Sequence, residues 1–180
     1  MEKNKAIIKS DKKVNKAAII YSVVIFIILL TFFIIFLIPK DNTWFSYEAF
    51  STNLRVNNFL RQVVTEDFSN AFNNLYYYDK STDVLTEISE GDAKQIWIDR
   101  MKNLSDKGTF LDDFKDVNVY SEDGYMRGTV VITLSEKGAP RIYETDLFFV
   151  KNEGIWKIGG ISNEELKTSF ESAISGYMPQ

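Results

Sequence analysis

The sequence predicts an α+β domain carried behind a single transmembrane helix. Three features say so. Residues 17–38 (AAIIYSVVIFIILLTFFIIFLI) form an uncharged apolar run of 22 residues. Between residues 47 and 104, apolar side chains recur at the helical spacing of three to four. After Phe110 the period becomes two, and residue–glycine pairs punctuate it at turn spacing.

The apolar run reaches roughly 33 Å at about 1.5 Å per residue, enough for a hydrocarbon core of about 30 Å. It offers no polar face, which a helix of a water-soluble core needs. It exceeds the about 7–15 apolar residues of a cleaved signal peptide, and it ends Phe36-Leu37-Ile38-Pro39-Lys40 without a small-x-small site. An uncleaved signal anchor is the expectation. Residues 1–16 carry six lysines against Glu2 and Asp11, whereas Lys40 is the one cation between the run and Arg55. The positive-inside rule then leaves the N-terminus in the cytoplasm and the remainder outside. The run has no ionisable residue, so it anchors rather than transports.

Composition narrows the chemistry. Beyond residue 38 there are 15 Lys and Arg against 23 Asp and Glu, a net charge of −8. Such a segment repels nucleic acid, whose binding draws on cations facing phosphates. The chain has no cysteine and no histidine. That excludes thiol nucleophiles, disulfide scaffolds, serine–histidine triads and histidine zinc sites, and it removes the commonest general base. No cofactor is expected. Richness in Lys, Asn and Ile suggests a low-GC bacterium, hence the plasma membrane of a Gram-positive cell.

Organisation follows in four parts: a basic tail at 1–16, the span at 17–38, a juxtamembrane linker at 39–46 (PKDNTWFS), and one domain at 47–180. Trp44, Phe45 and Tyr47 suit either the headgroup level or the first turn of the domain. Residues 47–78 read as two helices, or one helix bent near Thr65-Glu66-Asp67. Phe50, Leu54, Leu60, Val63 and Val64 form the first apolar stripe, and Phe68, Ala71, Phe72 and Leu75 the second, with Thr65 as a cap. A helix over 92–103 begins at Ser89 or Gly91 and buries Ile96, Trp97, Met101 and Leu104.

Four strands follow. Val117 and Val119 lie in the first, and Asp123-Gly124 turns the chain. The second, 125–135, points Val130, Ile132 and Leu134 to one face. Lys137-Gly138 turns again, and Pro140 opens the third, which runs through Tyr143 to Val150. Glu153-Gly154 leads to the fourth, Ile155-Trp156-Lys157-Ile158. Gly128, Gly159 and Gly160 mark bends or bulges. A final helix over 163–175 begins at Asn163 and buries Leu166, Phe170, Ala173 and Ile174. About three helices, a curved antiparallel meander and a C-terminal helix make the α+β class.

Two stretches of this pattern resemble the nuclear transport factor 2-like superfamily, a cone-shaped α+β domain. Asp67-Phe68-Ser69-Asn70-Ala71-Phe72-Asn73-Asn74-Leu75 is similar to the aspartate-aromatic-x-x-alanine-aromatic-x-x-leucine helix of small bacterial members. Gly154-Ile155-Trp156-Lys157-Ile158 is similar to the family's last strand. The resemblance covers residues 50–161 and specifies fold more than function. Its layout is also similar to that of the bitopic assembly factor of type IV secretion and conjugation machines, which implies a non-catalytic scaffold. No motif singles out that group.

Enzymes of the superfamily use a histidine or an aspartate in the cone. Here the candidates are Asp99, Tyr143 and the Tyr76-Tyr77-Tyr78-Asp79 cluster. Of these, Tyr76, Asp99 and Tyr143 join Phe72, Trp97, Asp146, Phe148 and Trp156 as the candidate pocket. The plainer expectation is that Asp99 is solvated near a lysine, that Glu144 and Asp146 face water, and that the aromatic side chains are core. The spacings Asp79, Asp83, Glu87 and Asp112, Asp113, Asp116 do not match a calcium loop.

Two functions remain. One is a non-catalytic anchored scaffold that binds protein partners or itself, in an envelope assembly such as a conjugation apparatus. The other is a small-molecule-binding or enzymatic cone with an inward acid. A cavity filled by Phe72, Trp97, Phe148 and Trp156 argues against the second.

Overall fold

The computed structural model describes residues 16–37, 46–82, 86–163 and 169–178; the side chains of 16–19 and 32–37 fall outside that description. Residues 1–15 of the expected tail, residues 38–45 with Trp44 and Phe45, Asp83, and residues 164–168 with Leu166 therefore lie outside the described residues. The chain forms two compact units, Met1–Asn42 and Thr43–Gln180.

In the first unit, α1 (Lys16–Leu37) is a continuous helix of 22 residues. Its described side chains, 20–31, are exposed. Among the described residues no helix is long and apolar enough to cross a membrane. The expected span counts 22 apolar positions, and the described side chains cover 12 of them.

In the second unit, α2 (Tyr47–Val64) starts at Ser46, whose hydroxyl accepts the Ala49 N–H. Its buried side is Ala49, Thr52, Val56, Phe59, Leu60 and Val63. Phe50 and Leu54, expected on this stripe, are half exposed instead. The buried stripe runs through Ala49, Thr52 and Val56 instead before it reaches Phe59, Leu60 and Val63. The helix ends in a Schellman motif: Asp67 N–H bonds the Gln62 carbonyl, and Glu66 N–H the Val63 carbonyl, with Glu66 at φ 56°. Thr65 thus closes α2 rather than opening the next helix. Asp67 caps α3 (Phe68–Ala71), its carboxylate accepting the Asn70 backbone and side-chain N–H groups. A 3-10 turn, Phe72–Asn74, follows.

Helix α4 (Glu90–Asp106) starts at Ser89, the first of the two expected starts, with the Ser89 hydroxyl accepting the Asp92 N–H. Ala93, Trp97, Met101 and Leu104 are buried, whereas Ile96 is exposed. The sheet is an antiparallel meander in the order β1-β2-β3-β4: Thr109–Glu122, Tyr125–Glu136, Ala139–Asn152 and Ile155–Ser162. Its three turns, Asp123-Gly124, Lys137-Gly138 and Glu153-Gly154, each hold two residues at positive φ. That is the geometry whose twist matches the flanking strands. Helix α5 (Ser169–Ile174) buries Phe170, Ala173 and Ile174.

One sheet face is covered and the other is open. Val130, Ile132 and Leu134 on β2, and Tyr143, Thr145, Leu147 and Phe149 on β3, are buried. Thr145 satisfies its hydroxyl on the Val130 carbonyl at 3.1 Å. Helices α2 and α4 pack on β1, and α5 on β4. The edge of β4 is closed by chain rather than by a strand. Tyr76 N–H bonds Ile158 O at 2.7 Å, and Gly176 N–H bonds Gly159 O at 2.9 Å. Burying this edge removes a template for unwanted pairing.

The start of α2 is tied to the β3–β4 hairpin. Glu48 accepts the Trp156 indole N–H at 2.8 Å and the Lys151 ammonium at 3.1 Å. That ammonium also lies 5.3 Å from the centre of the Trp156 ring. The Trp156 hydrogen bond, then Lys151, hold the Glu48 carboxyl below its ordinary pKa. Asp79 is lowered too, chiefly by the Glu87 N–H that its carboxylate accepts at 2.9 Å. A depressed folded pKa gives stability that is full above the unfolded carboxylate value, about 4. That stability is lost as pH falls through the folded value. The urea midpoint is therefore expected to hold between pH 7 and about 5 and to fall below that. Glu48→Gln should make the fall shallower; an unchanged acid limb in Glu48→Gln would show that this carboxylate takes no part.

Candidate functional site

The space between helices and sheet is packed, not open. Trp97 is fully buried with Phe59, Phe68 and Phe72 around it, each ring centre 6.1 Å away. Its indole N–H donates to the Ile174 carbonyl at 3.3 Å, so α5 is held against α4 through a satisfied core group. Phe72 also stacks on Tyr77 at 5.7 Å.

The eight candidate pocket residues do not converge. Phe72 and Trp97 are core. Tyr143 is buried on β3, with its hydroxyl 3.4 Å from Glu136. Trp156 is buried and bonded to Glu48. Tyr76 is half-buried beside β4, with its hydroxyl donating to the Thr82 carbonyl at 3.3 Å. Asp99 is exposed on α4 and accepts from Gln95 at 2.9 Å rather than from a lysine. Asp146 and Phe148 lie on the exposed face of β3. The pleat decides this: Tyr143, Thr145, Leu147 and Phe149 alternate inward, so 144, 146 and 148 must point out. Neither Asp99 nor Asp146 is an inward acid. Among the described residues, no group of three or more acidic side chains is placed to hold a metal ion.

What the structure does bring together is an aromatic row across the open sheet face. Register sets Tyr120 beside Arg127, Arg127 beside Phe148, and Phe148 beside Gly160. Phe148 keeps 46% of its surface exposed. A bulge between Phe148 and Phe149 inserts Gly159, and a Cβ there would lie 2.4 Å from the Phe148 ring. The ring rests on the glycine backbone, which explains why this position lacks a side chain.

Two grooves meet at Phe148. The larger, about 630 Å³, is lined by Phe148, Gly160, Tyr78, Tyr177, Arg100 and Glu171. The other, about 380 Å³, is lined by Phe148 with Tyr120, Tyr125, Arg127 and Asp146. Tyr78 and Tyr177 are in ring contact at 5.5 Å and continue the aromatic surface to the C-terminal segment. Arg127 is held by Glu122 at 2.8 Å. Aromatic rings and arginine are the residue types enriched at the centres of protein interfaces.

Sequence reasoning expected Glu144 and Asp146 to face water, as they do, but its candidate pocket grouped Asp146 and Phe148 with core residues. It missed Tyr120, Tyr125, Arg127 and Tyr177. The signal was present: two-residue turns fix the pairing, so residues 120, 127 and 148 fall into one row. The chain matches no protein-family model, and no curated protein matches it significantly.

Proposed function

We propose that this chain is a non-catalytic, membrane-anchored interaction domain of the bacterial plasma membrane. Residues 17–38 serve as the signal anchor, with the basic tail in the cytoplasm. The C-terminal domain is extracytoplasmic and belongs with the nuclear transport factor 2-like domains, the α+β order and the two quoted stretches supporting that reading. It engages a protein partner, or a second copy, through the open sheet face around Phe148. An envelope assembly of the conjugation type is the setting its layout resembles.

The observation that carries this reading is the contrast between the two faces of the sheet. The covered face is filled by Trp97 and its three phenylalanine neighbours, Asp99 and Asp146 are exposed, and the buried Asp79 carboxylate is engaged by the Glu87 N–H. The open face presents an aromatic row flanked by grooves. Interface centres are enriched in such aromatics and in arginine.

The test is a photo-crosslinking residue at position 148 of the full chain in its native membrane, with position 99 as the control. Protein adducts are expected from 148 and not from 99. Absence of adducts at 148, or equal adducts at both positions, would refute the assignment of this face. Adducts with conjugation components would fix the assembly.

A further inference from the structure

A third groove, between α4, α5 and the β2–β3 turn, differs from the other two in charge. It measures about 430 Å³ and is lined by Arg100, Asn103, Lys107, Lys137, Ser169 and Ser172 among others. No Asp or Glu lines it among the described residues. This is notable because the segment beyond residue 38 carries a net charge of −8. We propose that this groove is a binding site for a phosphomonoester, with Arg100, Lys107 and Lys137 as its cations.

The fold converges these side chains from separate elements. Arg100, Asn103, Leu104 and Lys107 fall at the spacings i, i+3, i+4 and i+7, one face of α4. Lys137 comes from the β2–β3 turn, and its N–H donates to the Gly108 carbonyl at 2.8 Å. That bond joins the turn holding Lys137 to the end of α4 holding Lys107. Ser169 and Ser172 come from α5.

Arg100 is fixed in advance. Its Nη1 donates to the Ser172 and Tyr177 carbonyls at 3.0 and 2.9 Å, and its Nη2 approaches Met178 Sδ at 3.3 Å. A guanidinium has five N–H donors. These contacts use three, which leaves two without an acceptor among the described residues. None of the three cations is in an ion pair among the described residues. A cation at the end of α4 also suits the negative pole of the helix dipole, which accounts for Lys107. It does not account for Lys137 beside it, or for Arg100 one face-length back. Like charges gathered in one groove repel, and an anion offsets that repulsion.

The ligand class follows from charge and size. A carboxylate brings one charge and two oxygens. A phosphomonoester brings nearly two charges and three acceptor oxygens, which match a positioned arginine plus two lysine point charges. The groove is larger than a bare phosphate, so a substituent on the ester fits beside Asn103 and the serines. A soluble sugar or glycerol phosphate and a monoester lipid headgroup share this chemistry.

The test uses the full chain in detergent micelles, titrated with inorganic phosphate and then glycerol 3-phosphate at fixed ionic strength. Binding is read by phosphorus-31 line broadening, and site occupancy by protection of lysines from an amine-reactive label. Expected are binding by the wild type and protection of Lys107 and Lys137 but not of Lys94 and Lys102. The double variant Lys107→Gln/Lys137→Asn should weaken binding about tenfold or more, a loss of about 1.4 kcal/mol or more. Lys94→Gln/Lys102→Gln removes the same charge elsewhere on α4 and should leave binding within about threefold, or about 0.7 kcal/mol.

Phosphatidylcholine nanodiscs with and without phosphatidic acid distinguish the source. Protection that needs phosphatidic acid indicates a headgroup, and protection by glycerol 3-phosphate in either setting indicates a soluble ester; both support the site. No protection by any of these probes, or equal weakening in both double variants, overturns it.

Discussion

Trp97→Ala is expected to cost the domain about 3–5 kcal/mol, the range for removing a large aromatic from a packed core. The side chain is fully buried and touches three phenylalanine rings from α2, α3 and the 3-10 turn. Those four rings meet where three helical segments converge, so no single backbone shift can refill the space. The indole also satisfies the Ile174 carbonyl. Alanine leaves that acceptor unpaired, which adds about 1–3 kcal/mol unless water enters. A domain of this size has about 5–15 kcal/mol in total. Urea unfolding of the full chain in detergent, followed by near-ultraviolet circular dichroism, should show the midpoint falling by a third or more. Trp97→Phe keeps most of the volume and should cost less. A loss below about 1 kcal/mol in the alanine variant would mean that the helices are held on the sheet mainly by other contacts.

How much of this was readable beforehand depends on which interactions are local. The three residue–glycine turns were legible because positive φ at two successive positions is a local demand that few residue pairs meet. From them follow four strands, their order and most of their register. The buried faces of β2 and β3 followed from period two. The start of α4 at Ser89 was legible for the same reason, since a cap needs one side chain and one N–H three residues on.

What could not be read depended on partners distant in sequence. Phe50 and Leu54 fit a helical stripe as well as Val56 and Phe59 do, and only the position of β1 selects between them. Glu66 adopts a left-handed conformation usually given to glycine, so the end of α2 carried no glycine signal and Thr65 drew the cap assignment. The candidate pocket residues lie apart for a related reason. They were grouped by chemical type around an assumed cavity, and the aromatic ones were used to fill it. The bulge at Gly159 shifted the β3–β4 pairing by one residue. That shift seats Phe148, which the β3 pleat already points outward, over glycine. A glycine pair signalled a bend there, but not which way the neighbouring ring would turn.

Gly176→Ala is the second change with a large expected effect, and it tests how the open grooves are walled. A Cβ at Gly176 would lie 1.8 Å from the Tyr76 carbonyl oxygen and 2.8 Å from its carbon, both backbone atoms. Neither can rotate aside. Gly176 is also bonded on both sides, its N–H to Gly159 O and its carbonyl from Tyr78 N–H, each at 2.9 Å. Relief needs the C-terminal segment to move out by more than 1 Å, which breaks both bonds. Overpacking of about 1–3 kcal/mol and two hydrogen bonds of about 0.5–1.5 kcal/mol each give a loss of roughly 2–6 kcal/mol.

The adjacent glycine supplies the contrast. At Gly160 a Cβ would meet Ser175 at 3.6 Å, an ordinary contact, so Gly160→Ala should stay within about 1 kcal/mol. Hydrogen exchange separates local from global damage: in Gly176→Ala the Tyr78 and Met178 amides, paired across this segment, should exchange faster than those of β2. Because Tyr177 lines the groove at Phe148 and its carbonyl holds Arg100, the same variant should weaken both crosslinking at position 148 and phosphate protection of Lys107. Loss of one without the other would show that the two surfaces are not braced by a common segment.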